Sequence, residues 1–185
     1  MWRALNGAGG PRPFERAQPK RREASAFGGN SIMLPMIGKP LFAVREVEWA
    51  AAREPLRAVR RTVFIEEQHV PEELEWDDED ARSRHVLAAT EDGKPVGTGR
   101  LLRDGHIGRM AVLREWRGRG VGSALMERLL RLAHEMGHEM VSLHAQTHAV
   151  GFYARHGFSV AGGEFMEAGI PHVVMTRYLT ADKRR

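Results

Sequence analysis

The feature that most restricts the fold of this chain is a glycine-rich segment, residues 117–123 with the sequence RGRGVGS, between a strand pattern and a helix pattern. Residues 106–112 are typical of a β-strand, and apolar residues recur at helical spacing over 121–136, where Gly137 is a good stop signal. Because strand, helix and strand in this order form a right-handed crossover, we predict that strand 106–112 lies parallel to strand 139–145.

The remaining patterns place this crossover in a larger sheet. Asp92-Gly93 is a strong hairpin signal between two short strand patterns. The alternation of apolar and polar residues predicts strands over 41–49, 85–90, 95–102 and 172–179, and helical spacing predicts helices over 50–68 and 149–156. Together these elements predict an α/β (α+β) fold, a central mixed and mostly antiparallel sheet flanked by helices.

The positive charge of the chain is concentrated at one end. The net charge is +4, but residues 1–40 hold seven basic and two acidic residues, so the other 145 residues carry about one net negative charge. We therefore expect no nucleic-acid partner for the body, since such a partner requires a basic face. Residues 1–39, rich in Gly, Pro and Arg, are predicted to be a disordered basic tail before a domain over 40–185. Two interpretations of the tail stay open: a targeting peptide, or an extension preceding a natural start at Met33, which leaves residues 1–32 in question.

Cysteine is absent from the chain, and this limits its chemistry. Disulfides, thiolate zinc sites and an acetyl-cysteine intermediate are excluded. The absence also fits a reducing cytosol, so we expect a cytoplasmic protein. No apolar run approaches the roughly 18–20 residues that span a bilayer, so we expect no membrane partner.

The glycine-rich segment has the properties of a phosphate site. Glycines permit close approach of the backbone to a ligand, and the first N–H groups of a helix lack internal acceptors and carry the positive end of the helix dipole. Arg117 and Arg119 add charge that could pair with phosphate oxygens. A Walker loop would need Gly-Lys-Ser/Thr, and a dinucleotide fingerprint would need glycine where Ser123 stands. What is left is R-x-x-G-x-G, or else a plain turn with solvated arginines.

R-x-x-G-x-G after a strand resembles the coenzyme A pyrophosphate signature of the GNAT superfamily of N-acetyltransferases. The resemblance continues in residues 151–158 (GFYARHGF), 63–68 (VFIEEQ) and 168–172 (AGIPH), the last two similar to the small bacterial ElaA-like branch. It covers about residues 41–179, in the family's order.

The resemblance implies that coenzyme A lies between two splayed parallel strands. The residues implied in binding acetyl-CoA, the co-substrate, are Met110, Ala111, Val112, Arg117, Gly118, Arg119, Gly120, Val121, Gly122, Ser123, Gln146, Phe152 and Tyr153. His148 is an alternative to Gln146, because the family often has an asparagine there. No metal is implied. The acceptor is a small-molecule amine or a protein amine, and a homodimer stays open.

Acetyl transfer needs a proton donor for the departing thiolate and a base for the amine. Without cysteine, direct transfer in a ternary complex is the simpler route. Tyr153 matches the family tyrosine that protonates the thiolate, although it could also be a core aromatic. Glu66, Glu67 and His106 are weaker candidates for the base, as is His172 at another strand start, and a water chain is an equal alternative.

Charged residues near the expected cleft give conflicting indications about the acceptor. Seven carboxylates over 72–80 predict a loop, because no core is expected to take so many charges, and this loop could attract a cationic amine. A solvated loop without function is the alternative. Arg100 and Arg109 would instead favour an anionic group if either faces the cleft.

Two other functions remain. The string H-E-x-x-H at 134–138 is the signature of a zinc hydrolase, but it needs both His134 and His138 on one helix, and Gly137 interrupts it. A non-catalytic acyl-CoA-binding sensor would keep the glycine turn and lose the acid, which Tyr153 argues against.

Overall fold

A computed structural model describes residues 41–179 of the chain. The predicted tail, residues 1–39, lies outside the described residues, as do residues 40 and 180–185 of the predicted domain. The described part contains a seven-stranded sheet in the order β1-β2-β3-β4-β5-β7-β6. Its strands are β1 (Ala43–Val47), β2 (Arg84–Ala89), β3 (Pro95–Leu101), β4 (His106–Val112), β5 (Met140–Gln146), β6 (Ser159–Glu167) and β7 (Ile170–Tyr178).

Strands β4 and β5 are parallel and the other neighbours are antiparallel. This confirms both the predicted crossover and the predicted fold class. The four α-helices of the described residues are α1 (Trp49–Arg60), α2 (Glu72–Glu75), α3 (Val121–Glu135) and α4 (Val150–Arg155). A π-helical turn, Arg61–Glu67, continues α1, so the helix predicted over 50–68 changes its winding near its end.

Helices cover both faces of the sheet. On one face α3 buries Leu125, Leu129 and Leu132 completely against the main core. On the other face Leu56 of α1 packs with Leu87, and Val59 packs with Ala111 of β4. The helical spacing of the apolar residues accounts for both contacts, since it gives each helix one apolar face.

The parallel strands separate soon after they begin. Within residues 41–179, the register of β4 with β5 covers His106↔Ser142 and Ile107↔Leu143, whereas β5 pairs with β7 along its whole length. A bulge shifts the register of β4 against β3, and Arg109 adopts a positive φ of 51° there. The result is an open edge on β4 beyond Ile107, which faces a gap in the sheet.

Helix α3 ends before the second histidine of the H-E-x-x-H string. Gly137 has φ +83°, its N–H donates to the His134 oxygen (3.0 Å), and the His138 N–H donates to the Ala133 oxygen (3.0 Å). These two bonds are a Schellman motif, in which glycine stops the helix. The predicted stop is confirmed, and His134 and His138 do not share the helix. Among residues 41–179 no group of three or more His, Asp or Glu side chains is arranged to hold a metal ion.

One expectation was wrong, and one strand was missed. The segment 72–80 contains α2 and enters a 3₁₀ turn (Asp78–Arg82), and two of its seven carboxylates, on Glu75 and Asp80, are buried. Strand β6 was missed, because it is an edge strand with nearly every residue exposed and with Gly162-Gly163 inside it. Neither feature leaves an apolar period in the sequence. None of the described helices has the length and apolar character to cross a membrane.

Candidate active site

A cleft with a volume of about 1040 Å³ opens where β4 and β5 separate. Its wall includes the predicted binding residues Met110, Ala111, Val112, Arg117, Gln146 and Tyr153, the alternative His148, and the base candidates Glu67, His106 and His172. Within the described residues, the lining does not include Glu66, which is exposed, Phe152, or residues 118–123. One cleft therefore brings together side chains from four separate sequence motifs.

The glycine turn leads directly into the first turn of α3. Gly118 and Gly120 have φ of +72° and +83°, a backbone conformation that only glycine adopts without strain. The Ala124 N–H is the first to donate inside the helix, to the Gly120 oxygen at 3.0 Å. The N–H groups of residues 121–123 precede it and have no intrahelical acceptor. A pyrophosphate site at the start of α3, as the sequence predicts, would use these N–H groups.

The arginines of this turn already have protein partners. Arg117 forms two hydrogen bonds to the Glu67 carboxylate (2.7 and 2.9 Å) and donates to the Val112 oxygen (3.0 Å). The guanidinium of Arg119 lies 5.5 Å from the centre of the Trp116 ring, within cation–π range. For Arg117 to bind a phosphate, it must first leave Glu67.

Tyr153 reaches the cleft from α4. Its ring packs edge-on against Phe152 and Phe158, with centroids 5.0 and 6.1 Å away. Burial raises the pKa of its hydroxyl to about 12, since a phenolate would lose its hydration there. Tyr153 therefore carries its proton throughout the neutral range. Gln146 lies nearby on β5 and donates to the Gln68 side-chain oxygen at 2.9 Å.

The predicted base candidates differ in their surroundings. The hydrogen bond from Arg117 lowers the pKa of Glu67. Its carboxylate is therefore ionised at neutral pH, and it is a weaker base than an unpaired glutamate. Burial, followed by the nearby His144, lowers the pKa of His106, so this imidazole is neutral at neutral pH. His172 is buried and its Nδ1 lies 2.8 Å from the Ile170 oxygen.

A further pair in the cleft was not predicted. His144 of β5 places Nδ1 2.9 Å from Oε2 of Glu167, and both side chains line the cleft. The sequence did hold a signal for His144, because Ser142, His144 and Gln146 alternate with the buried Val141, Leu143 and Ala145. For Glu167 there was none, since strand β6 itself was missed.

Comparison with known proteins identifies the family to which this fold belongs. Residues 48–179 match the family model described as "Acetyltransferase (GNAT) domain". The chain belongs to the GNAT acetyltransferase family. It is 43% identical over 124 residues to the "Uncharacterized N-acetyltransferase YjcF" of Bacillus subtilis, an alignment that spans 64% of this chain and 87% of that one.

Two solved structures have the same architecture. The acyl-CoA N-acyltransferase of Pseudomonas aeruginosa is 32% identical with a TM-score of 0.66, over 74% of this chain and 99% of that one. Escherichia coli ElaA is 30% identical with a TM-score of 0.66 and the same coverage. The resemblance to the ElaA-like branch is thus confirmed. This GNAT protein is an acetyltransferase of a family that uses acyl-CoA co-substrates.

At least three of the seven carboxylates in the acidic segment of the acetyltransferase are already paired with arginines. Arg60 of α1 is fully buried and donates to Glu75 (2.5 Å) and to Asp80 (2.7 Å). Arg100 is also buried and binds Asp77 and Asp80 through bonds of 2.6–2.9 Å. Arg109 lines the cleft and binds Glu75 and Asp77 at 3.2 Å. Three arginines therefore balance three carboxylates.

Proposed function

We propose that this protein transfers the acetyl group of acetyl-CoA directly to the nitrogen of an amine, with both substrates bound in the cleft. The observation that carries this proposal is the gap between β4 and β5, whose wall includes Arg117 of the glycine turn and Tyr153. The absence of cysteine supports direct transfer, because no acetyl-thiol enzyme can form. A cytoplasmic location and a homodimer stay predictions.

The described residues fit a coenzyme A thioester, which supplies an activated acetyl group when it is bound. The N–H groups of residues 121–123 would hold the pyrophosphate, helped by the α3 dipole. Residues 110–112 lie where β4 no longer pairs with β5, so the backbone groups that face the gap could bind the pantetheine arm, although the Val112 oxygen now accepts a hydrogen bond from Arg117. A backbone N–H near Ala111 or Val112 would polarise the thioester carbonyl.

Tyr153 would give its proton to the departing sulfur. A phenol with a pKa of about 12 is a weak acid in the free protein. However, the thiolate formed in the same cleft is also poorly hydrated, so its own basicity rises and the transfer becomes closer to balanced. Because the phenol never loses its proton at neutral pH, the donor form is always available.

The first test is the release of free thiol from acetyl-CoA with a panel of acceptors: phenylethylamine, glucosamine, spermidine and a tripeptide with a free N-terminus. Turnover that depends on one of these amines supports the proposal. Tight binding of acetyl-CoA by calorimetry, with no thiol release from any of them, would instead identify a non-catalytic sensor.

The second test is Tyr153→Phe, which removes the acid and keeps the ring. We expect kcat to fall at least about tenfold, since a general acid contributes 10²–10⁴-fold, while the affinity for coenzyme A stays unchanged. The matched control is Tyr178→Phe, the second tyrosine of the chain, which is 74% exposed on β7. Equal kcat in wild type and Tyr153→Phe, with chemistry rate-limiting, would show that water protonates the thiolate.

A further inference from the structure

Three imidazoles from the sheet line the same cleft as Arg117 and Tyr153. We call His106, His144 and His172, together with Glu167, the imidazole wall. The rings of His106 and His144 meet edge-on with centroids 4.8 Å apart, and Phe165 contacts His144 in the same way at 4.9 Å. His144 is therefore fixed between two rings, while 39% of its side chain stays exposed to solvent and the residue lines the cleft.

The hairpin between β6 and β7 brings Glu167 to His144. Glu167 pairs with Ile170 across a two-residue turn, Ala168-Gly169, in which both residues have positive φ (49° and 76°). Such a turn holds the two strands in a fixed register. Because β7 in turn pairs with β5, the Glu167 carboxylate reaches the side chain of His144 across the sheet.

This contact determines which nitrogen of His144 is free. An ionised carboxylate only accepts hydrogen bonds, so the 2.9 Å contact puts the proton on Nδ1 and leaves the lone pair of Nε2 uncommitted. A histidine held by a carboxylate in this way is oriented for proton uptake, and the carboxylate stabilises the imidazolium that forms. The other candidates lack a carboxylate that could stabilise an imidazolium, since Glu67 is bound to Arg117, the Nδ1 of His106 contacts Ser142, and that of the buried His172 contacts a backbone carbonyl.

The charges around the imidazole wall permit this role. His106 faces His144 from β4, and its pKa is lowered first by burial and then by His144, so it adds no positive charge at neutral pH. Asp104 and Glu167 contribute negative charge near His106, and the Arg100 guanidinium contributes positive charge. Arg100 is itself bound by Asp77 and Asp80, which reduces its repulsion of a cation.

We propose that His144, oriented by Glu167, is the base that deprotonates the acceptor, a primary amine that enters the cleft as an ammonium ion. This rests on the proposed acetyl transfer. The ammonium N–H bond breaks and the Nε2–H bond of His144 forms, which gives the amine the lone pair for attack. A C–N bond then forms as the C–S bond breaks. Tyr153 protonates the sulfur, and the second N–H proton of the amine restores Tyr153, so one proton is released to water from His144.

The kinetic test is His144→Asn, with His134→Asn, an exposed histidine on α3, as the matched control. The acceptor is the panel amine with the highest kcat/KM. For His144→Asn we expect a loss of about 10²-fold in kcat/KM at pH 7, which diminishes as the pH approaches the pKa of the amine, because the amine then deprotonates itself. Replacing the amine with its β,β-difluorinated analogue, of which a far larger fraction is neutral at pH 7, should also reduce the difference.

Equal kcat/KM at pH 7 for wild type and His144→Asn would overturn the proposal, as would a loss that is the same at every pH and for both amines. The affinity for coenzyme A, measured by calorimetry, should be unchanged in both variants. If the wild-type protein releases no thiol with any panel amine, the proposed function fails. If it turns over and His144→Asn turns over equally well, only the role of His144 fails.

A second measurement does not depend on turnover. Nitrogen-15 NMR of the imidazoles in the full chain should show His144 with its proton on Nδ1, and Glu167→Ala should shift the proton toward Nε2. Glu167→Gln, whose amide oxygen still accepts from Nδ1, should keep the wild-type tautomer and lose less activity than Glu167→Ala. A proton found on Nε2 of His144 in the wild-type protein would contradict the proposal directly.

Discussion

The acidic segment 72–80 and the glycine turn 117–123 are both rich in charge, yet they use it in opposite ways. In the acidic segment, Glu75 and Asp80 are 3% and 2% exposed and bind the buried Arg60. In the glycine turn, Arg117 is 42% exposed and binds Glu67 at the rim of the cleft. The charges of Arg60, Glu75 and Asp80 are buried and paired, whereas the exposed Arg117 can exchange Glu67 for a ligand.

The difference between the two regions teaches that free charge cannot be counted from a sequence. A buried ion pair that loses one partner leaves a charge without water, so it cannot be given up for a substrate. An exposed pair is weak because solvent screens it, so a pyrophosphate can displace its carboxylate. Two of the seven acidic residues are thus part of the core, whereas Arg117 stays available for the proposed binding site.

The largest expected effect is on stability and tests the buried ion pairs of the acidic segment. Arg60→Met should destabilise the protein by about 3–5 kcal/mol, because it leaves Glu75 and Asp80 buried beside fewer positive charges. Urea unfolding measures this change. Arg61→Met is the matched control, since Arg61 is exposed and pairs with the exposed Glu72, and its loss should change the free energy of unfolding little. If Arg60→Met and Arg61→Met lost similar amounts of unfolding free energy, the buried ion pairs would contribute no more to stability than the exposed one.

The stability of Arg60→Met relative to wild type is expected to depend on pH. Burial raises the pKa of Glu75, and Arg60 opposes that rise, so its removal raises the pKa further. A carboxyl whose pKa is higher in the folded state than in the unfolded state favours folding as the pH falls. The difference in stability between wild type and Arg60→Met should therefore narrow from about pH 8 to about pH 5. A difference that widens on acidification would contradict this assignment.

The next largest effect is on coenzyme A affinity and tests the glycine turn. Gly120→Val should weaken coenzyme A binding at least about tenfold, or about 1.4 kcal/mol, since a side chain there obstructs the helix N-terminus. Gly137→Val is the matched control: both glycines have φ of +83°, and a Cβ added at either one would meet no atom within 4 Å. Both variants carry the same backbone strain, so calorimetry should find reduced affinity only for Gly120→Val. Unchanged affinity in a folded Gly120→Val protein would refute the pyrophosphate site.

The smallest expected effect concerns the replacement of Glu67 by coenzyme A as the partner of Arg117. Glu67→Gln frees Arg117 from its charged partner, so coenzyme A should bind about two- to threefold more tightly at low salt, with a smaller gain at high salt. Calorimetry at two ionic strengths measures the change. Weaker binding in Glu67→Gln would show that Glu67 positions Arg117 for the ligand rather than competing with it.

Local patterns were sufficient for most of the fold. The period of the apolar residues predicted six of the seven strands of the described part and the helices α1, α3 and α4, because each such element has one apolar face. Glycines with positive φ marked the ends of α3 correctly at Gly120 and Gly137. Strand β6 was missed because an exposed edge strand has no apolar face to leave a pattern.

What the sequence determined by itself was the order of six strands and three helices, the parallel crossover and the glycine turn at the start of α3, since all of these depend on spacing along the chain and on the backbone freedom of glycine. Only the tertiary structure decided which charges are buried, that Arg117 binds Glu67, and that Glu167 orients His144. The partners in these contacts are 15 to 50 residues apart. Strand register and the separation of β4 from β5 bring these residues together. The local spacing of apolar residues carries no information about such contacts.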